Sequence, residues 1–397
     1  MDHFCKQPKY FSKFKCIGGE CPRSCCDGWV VNWSDEELSK LKSANCSDGL
    51  KELIDNCFTR DKDDKDNLIK MCDDGRCPFH NHETDLCDIQ KEVGAKYLGI
   101  VCKRYPRQYI ERDNLLFRWC VGSCPAVLDF LIDDENAVTI ENILCRDYKK
   151  LDLSKIKVDN MEAMKLAPIK VYRFILLDFF MDLLTQKDRS FDNSMILAAL
   201  GVKHLSDAEI KGNYMDIPKI IKDLTPQLNN PQTVRSLDDI KPNYQLKFKL
   251  INNMTVKFFE EKPGIINIIS SIHDGNELIM ERYTEGTEKF MNAFSNHNWV
   301  LKNILINLFL DLEVPIGKIE CSLFENYSFF VLACATIKAF AAAIGYISKD
   351  IREDFKICVA ELNRSFAHNP IKAGHMINEM KELGLTTPAH LALIIKG

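Results

Sequence analysis

Along the first 150 residues the apolar positions come in short, irregular runs, broken by turn-forming clusters such as CIGGEC, RDKDDKDN and DDGRCPFHNHETD. Such punctuation predicts loops around small elements. Ser34 and Glu37 have the spacing of a capping box, so a helix is expected just after the first group of cysteines. Between Cys87 and Cys102 the apolar residues Ile89, Val93, Tyr97 and Leu98 recur at helical intervals, predicting a helix with one cysteine at each end. The stretch QYIERDNLLFRW reads as a hairpin turning at Arg112 to Asn114.

Beyond about residue 155 the pattern becomes helical. In YRFILLDFFMDLL, the residues Tyr172, Leu176, Phe179, Phe180 and Leu183 share one face, as a core-packing helix requires. Further helices are expected around 207–210, 218–224, 277–293, 299–312, 351–367 and 373–383, with a last one capped by Thr387 ahead of Pro388. Residues 329–347 are apolar throughout except for Thr336 and Lys338. A charge near the middle of a membrane span is costly, so this segment is expected to be a buried core helix. The chain therefore reads as mainly α in two parts. Residues 1–150 form an irregular, cysteine-rich, metal-binding region with short helices and a hairpin, and residues 151–397 form an α-helical domain.

Composition changes that picture at one point, the cysteines. A chain of 397 residues with 46% hydrophobic content supports a sizeable core, and a net charge of −5 gives no general attraction to nucleic acid or to anionic membrane. The first 150 residues carry −4 of that charge, so charge does not distinguish the two parts. Cysteine does, because 14 of the 17 lie before residue 146. The N-terminus has no apolar stretch of signal-peptide length, which predicts a cytoplasmic protein. Among reduced thiols, dense cysteines more often bind metal than form disulfides, so an oxidised protein is the least favoured reading. Cys5, Cys46, Cys57, Cys72, Cys120 and Cys145 are expected to be mostly bystanders.

The remaining cysteines of this part run C-x4-C-x3-CC over Cys16, Cys21, Cys25 and Cys26, then C-x9-C-x14-C-x21-C over Cys77, Cys87, Cys102 and Cys124. Thiolates close together in sequence suit a soft metal or an iron–sulfur cluster. Adjacent cysteines point in different directions on most backbones, so Cys25 and Cys26 need not bind the same ion. The paired C-x2-C spacing of structural zinc sites is missing. So is the C-x3-C-x2-C of radical enzymes that use S-adenosylmethionine, since Gly28 stands where the third cysteine belongs. His80 and His82 are further donors among the thiols. No G-x-G-x-x-G follows a strand, which argues against a Rossmann-type methyltransferase domain.

The runs FKCIGGECPRSCCDGW, GRCPFHNHETDLCDIQKEVG and CKRYPR, in that order, resemble the flagellin lysine-N-methylase family, and more distantly the zinc- or iron-chelating cysteine-cluster domains. FENYSFFVLACATIKAFAAAIG and ELNRSFAHN extend the resemblance through the helical part. Departures are Lys103 in place of arginine, Ala126 after Cys124-Pro125, and His80 after Cys77-Pro78-Phe79. The resemblance implies transfer of methyl groups from S-adenosylmethionine to lysine side chains of flagellin, by a protein carrying an iron–sulfur cluster of 4Fe-4S type. It implies as metal ligands Cys16, Cys21, Cys25, Cys26, Cys77, Cys87, Cys102 and Cys124.

Residue chemistry adds candidates for holding the methyl donor. Arg104 and Arg107 could pair with its carboxylate or neutralise a thiolate-bound centre. Aromatic faces at Trp29, Tyr105, Tyr109 and Trp119 could hold a sulfonium or pack over the metal site. Arg364 and His368, four apart, share a helix face, as a cofactor contact or as a structural pair. No catalytic base stands out. The expected partner is flagellin or a related protein, with no nucleic acid and no membrane, and the oligomeric state is open. The competing reading is a non-catalytic zinc- or iron-binding module whose helical part binds a partner protein.

Overall fold

A computed structural model describes residues 4–27, 31–60, 66–112, 115–146, the backbone of 157–158, and residues 168–275 and 277–397. The chain forms two compact units, Met1–Val127 with Ile140–Val158, and Leu128–Thr139 with Asp159–Gly397. As the two-part pattern requires, helix dominates the second unit, while short strands and short helices make up the first.

The elements up to residue 158 are β1 (Phe4–Pro8), β2 (Asn32–Trp33), α1 (Asp35–Lys42), α2 (Asp48–Asn56), β3 (Phe58–Arg60), β4 (Asn67–Ile69), β5 (His80–Asn81), β6 (Leu86–Cys87), α3 (Asp88–Glu92), α4 (Ile100–Arg104), β7 (Arg107–Arg112), β8 (Leu115–Cys120), α5 (Pro125–Asp133), β9 (Ile140–Leu144) and β10 (Lys157–Val158). Five of the strands make one sheet in the order β10-β7-β8-β1-β9. The expected hairpin is β7–β8, paired from Arg107 with Cys120 to Arg112 with Leu115, and its turn lies outside the described residues. β1 joins it in parallel through β8 and continues antiparallel to β9. Gln7 in β1 is fully buried; its amide donates to Glu141 and to Ser12, each at 2.6 Å, and its carbonyl accepts from Arg118 Nε at 2.7 Å. A buried amide with all these partners stitches β1, β8 and β9 together.

Two expectations for this unit need correction. The loops around small helices in fact surround a five-stranded sheet. The single helix between Cys87 and Cys102 is broken, because Gly94 adopts φ 90° and ends α3, and α4 starts only after Gly99. A β-carbon at Gly99 would stand 2.7 Å from the Trp33 ring, so glycine is what admits the close pass of the chain. Beneath these elements a separate apolar cluster gathers Trp33, Leu41, Leu50, Ile54, Phe79 and Ile89.

The second unit is built from α6 (Arg173–Thr185), α7 (Phe191–Ile210), α8 (Ile217–Leu228), α9 (Pro231–Ser236), α10 (Tyr244–Phe259), α11 (Pro263–Ser270), the ribbon β11 (His273–Asp274) and β12 (Glu277–Leu278), then α12 (Met280–Ala293), α13 (Trp299–Asp311), α14 (Leu323–Ile347), α15 (Ile351–His368), α16 (Pro370–Glu382) and α17 (Pro388–Ile395). α14 is the axis. Ser322 and Glu325 close a capping box at its start, and nearly every residue from Leu323 to Gly345 is buried. It is long and apolar enough to cross a membrane, yet 83% of its most apolar window is covered by protein. Lys338, the charge within it, reaches Asp192 of α7 at 2.5 Å and the carbonyl of Ile395 at 3.2 Å. A buried ammonium is tolerable with such partners. Around it α7 extends well beyond the expected 207–210, and α10 and α11 were not expected from the pattern.

α12 and α14 touch backbone to backbone. A β-carbon on Gly286 would collide with the carbonyl of Ala342, and one on Gly345 with the carbonyl of Gly286. Neither neighbour is a flexible side chain, so relief requires the helices to separate, at a cost of about 1–3 kcal/mol or more. Gly286→Ala and Gly345→Ala should each lower the urea midpoint accordingly. Gly264→Ala, whose added methyl meets nothing, should leave it unchanged or slightly raised.

Candidate metal centre

Two loops of the first unit are laced together around the cysteines. The amide of Cys77 donates to the carbonyl of Cys26 at 2.8 Å, and Asp27 bridges to Arg76. Arg76 closes a tight turn, its carbonyl accepting from Cys72 N at 2.8 Å, with Gly75 at φ 83°. The next residues place Cys77 beside β5, where His80 is paired with Cys87 of β6. Cys87 then caps α3, and Cys102 lies in α4. Glu37 fixes that last placement: one carboxylate oxygen closes the α1 capping box at Ser34 N, 2.7 Å, and the other accepts from Ile100 N at 2.6 Å. Cys77, Cys87 and Cys102 all pack against the Trp33–Phe79 cluster.

The result is a shared electrostatic neighbourhood. Every pair among Cys26, Cys77, Cys87 and Cys102 lies within reach of the partner's charge. Burial, with the neighbouring sulfurs adding to it, pushes the Cys77 thiol far up, Cys87 to about 11 and Cys102 to about 12. The Cys25 thiol, hydrogen-bonded to Cys26, is pushed up as well, by that bond first and by burial second. Cys26 is the exception: the same bond pulls it down to about 7 against the cost of burial, and its amide is held by Ser24 Oγ at 3.1 Å. Cys25 also feels Cys102 and Cys16, and Cys124 feels Cys21 and Cys16 while burial raises it to about 12. All eight expected ligands therefore fall in one region of the first unit. Among the described residues no three of them already meet at ligating distance. Neutral thiols attract one another only weakly, so nothing but a cation would draw them into a common sphere.

The donor set fits a soft metal. Several buried thiols that cannot ionise beside one another become good ligands once a positive centre shares their charge, and metal binding then expels their protons. His80 fits the same chemistry: it is buried, neither ring nitrogen has a hydrogen-bond partner, and its Nε2 stands 3.5 Å from Asp85. His82 instead meets Arg76 Nη1 at 2.8 Å. One disulfide is present among the described cysteines. Cys5 in β1 is joined to Cys145, just beyond β9, which clasps the sheet and keeps both out of the thiol group.

The residues expected at the methyl donor are dispersed. Trp29 lies outside the described residues. Tyr105 hydroxyl meets Ser123 Oγ at 3.2 Å, Arg104 lies over the Tyr109 ring at 5.9 Å, and Arg107 covers the Phe14 ring at 4.8 Å and donates to the Phe14 carbonyl. Tyr109 and Trp119 are buried, Trp119 stacked on Phe117. Arg364 and His368 belong to α15 in the other unit. The His368 ring keeps an open surface, yet the mass of protein around it and the cations Lys318 and Arg364 push it down to about 4; the two cations are the firmer cause. The spacing of cysteines revealed the thiols, whereas the roles of Glu37 and Arg76 have no signal in the sequence beyond the capping box.

Residues 177–394 match the sequence pattern of the FliB lysine N-methylase C-terminal domain. That is more than half of the chain, which belongs to this family of lysine N-methylases. Individual relatives are distant. The flagellar biosynthetic protein FliU of Salmonella muenchen is 26% identical over 136 residues, covering 34% of this chain and 80% of that protein. The lysine-N-methylase of Salmonella typhimurium is 21% identical over 266 residues, covering 65% of this chain and 61% of the relative. That of Salmonella choleraesuis is 22% identical over 267 residues with the same coverage, so the chain spans about three fifths of the length of either methylase. No solved structure matches.

Two outcomes follow from this geometry. Glu37→Ala removes both caps at once and should cost about 1–3 kcal/mol in chemical unfolding, with Glu37→Gln recovering part by keeping one acceptor. His368 binds its proton less readily folded than unfolded, so it withdraws stability as pH falls from about 6.5 towards 4. His368→Asn should flatten the unfolding midpoint across that window relative to wild type, and an unchanged slope would contradict the assignment.

Proposed function

We propose that this chain is a protein-lysine N-methyltransferase that moves methyl groups from S-adenosylmethionine to lysine side chains of flagellin, and that its first unit holds an iron–sulfur cluster. The observation that carries the reading is membership of the lysine N-methylase family together with the convergence of thiols in the first unit. The flagellar names of the relatives support flagellin as substrate, and the reading places the reaction in the cytoplasm.

Methyl transfer from a sulfonium to an amine is an in-line displacement. The amine nitrogen forms the new bond to carbon as the carbon–sulfur bond breaks, leaving a neutral thioether, and the methylated ammonium sheds a proton. The work of the protein is to align the two groups and to keep the target amine neutral, which a cation-crowded or apolar pocket favours. Thiolates among Cys26, Cys77, Cys87 and Cys102 would hold an iron–sulfur cluster, which when bound would supply Lewis acidity at an iron those thiolates leave open. Arg104 and Arg107, ordered over aromatic rings, follow Cys102 by two and five residues.

Anaerobically purified protein, S-adenosylmethionine and unmodified flagellin should together yield methylated lysines in peptide mass spectra. Cys102→Ser should reduce the yield at least tenfold. Flagellin left unmodified by a metal-loaded protein would leave a non-catalytic metal module as the reading to adopt.

A further inference from the structure

Resting on the reading that S-adenosylmethionine is the methyl donor, we propose that a cleft in the second unit takes the amino-acid end of that donor. Three elements enclose it: the last turns of α7, the first turns of α14, and the end of α16 with the turn that follows. The space between them is about 150 Å³. That suits a group of amino-acid size and falls short of the roughly 300 Å³ at which sites for whole drug-sized ligands begin. The rest of the donor would leave through the open side, where Lys381 and Thr386 are exposed.

Ser206 is the residue that points to a ligand. It is 1% exposed, lines the cleft from α7, and its hydroxyl has no hydrogen-bond partner. A helical serine commonly returns its hydroxyl to the carbonyl one turn back, as Ser328 does in the same cleft by donating to the Phe324 carbonyl at 2.8 Å. An orphaned hydroxyl costs stability in the folded chain, and a ligand that hydrogen-bonds it removes the cost.

Charge defines the kind of ligand. Glu325 is locked by the cap of α14: its Oε2 accepts from Ser322 N at 2.8 Å and from Ser322 Oγ at 2.9 Å, and its Oε1 meets Lys381 Nζ at 2.8 Å. On the α7 side Lys203 Nζ meets Asp207 at 2.6 Å and lies 5.7 Å from the centre of the Phe324 ring. A bare cation, such as a peptide lysine, would face the ammoniums of Lys203 and Lys381, and a bare anion would face the carboxylate of Glu325. A ligand end that carries both charges satisfies each, its carboxylate on lysine and its ammonium on Glu325. Both ion pairs are partly open to water, where such pairs contribute little, so exchanging them for a ligand's charges costs little. The wall beyond is apolar, with Phe324, Ile377, Met380 and Leu385 buried, which suits a methylene chain. The Phe324 ring, already beneath one cation, also attracts a sulfonium.

The test is calorimetric binding of S-adenosylhomocysteine, and of 5′-methylthioadenosine, which lacks the amino-acid end, to the anaerobically purified full chain and to Ser206→Ala and Lys381→Gln. The wild type should prefer S-adenosylhomocysteine by about tenfold or more, and each variant should lose most of that preference while binding 5′-methylthioadenosine as before. Ser206→Ala should melt at the wild-type temperature or above it, because it deletes a hydroxyl without a partner, so weaker binding there is no sign of misfolding. Folded variants that keep the preference, or that lose affinity for both ligands alike, overturn the placement and leave the methylase reading standing. A wild type that binds neither ligand and leaves flagellin unmethylated overturns that reading and the placement with it.

Discussion

What the first unit depends on is the free energy of ionising buried sulfur. A thiol moved out of water loses its preference for the charged form, and each neighbouring thiolate raises the cost again. In this unit the two effects act together on Cys77, Cys87 and Cys102, whereas the hydrogen bond from Cys25 pulls the Cys26 thiol down to about 7. A bound cation reverses the sign of the problem. On the proposed reading, such a cation would hold together residues from four separate stretches of chain whose thiols otherwise oppose one another's ionisation.

The frame for those sulfurs is modest: two-residue strands, five-residue helices and one apolar cluster. Glu37 and the Arg76 turn do much of the positioning, and the sheet beside them is clasped by the Cys5–Cys145 disulfide and the Gln7 amide. The second unit has the opposite economy. Its stability comes from burying α14 on all sides, with the Lys338–Asp192 pair answering the charge and the glycine contact between α12 and α14 setting the closest approach.

Many helices of the second unit were legible because their apolar faces are long and periodic, as Tyr172 to Leu183 and the capped segment after Thr387 illustrate, whereas α10, α11 and most of α7 were not. The core helix was legible from the single lysine within it. The sheet of the first unit was not, since β1 buries a glutamine whose partners are distant in sequence, and a period-of-two pattern cannot reveal that. The break at Gly94 was hidden because apolar spacing continues across it while the backbone does not. Of the site, cysteine spacing pointed to the thiols that the fold brings into one region of the first unit. The buried ring of His80, whose nitrogens lack a hydrogen bond, and the double cap at Glu37 emerge only from tertiary contacts. The Cys5–Cys145 pair was missed because its two members lie at opposite ends of the unit's sequence.

The most direct measurement of this account is a titration of cobalt(II) into reduced, metal-free protein at neutral pH, following thiolate-to-metal charge-transfer absorption and proton release in parallel. Buried neutral thiols converted to ligands must give up their protons, so absorption and protons should rise together and saturate at the same cobalt ratio. Cobalt that binds without releasing protons, or does not reach sulfur at all, would contradict it.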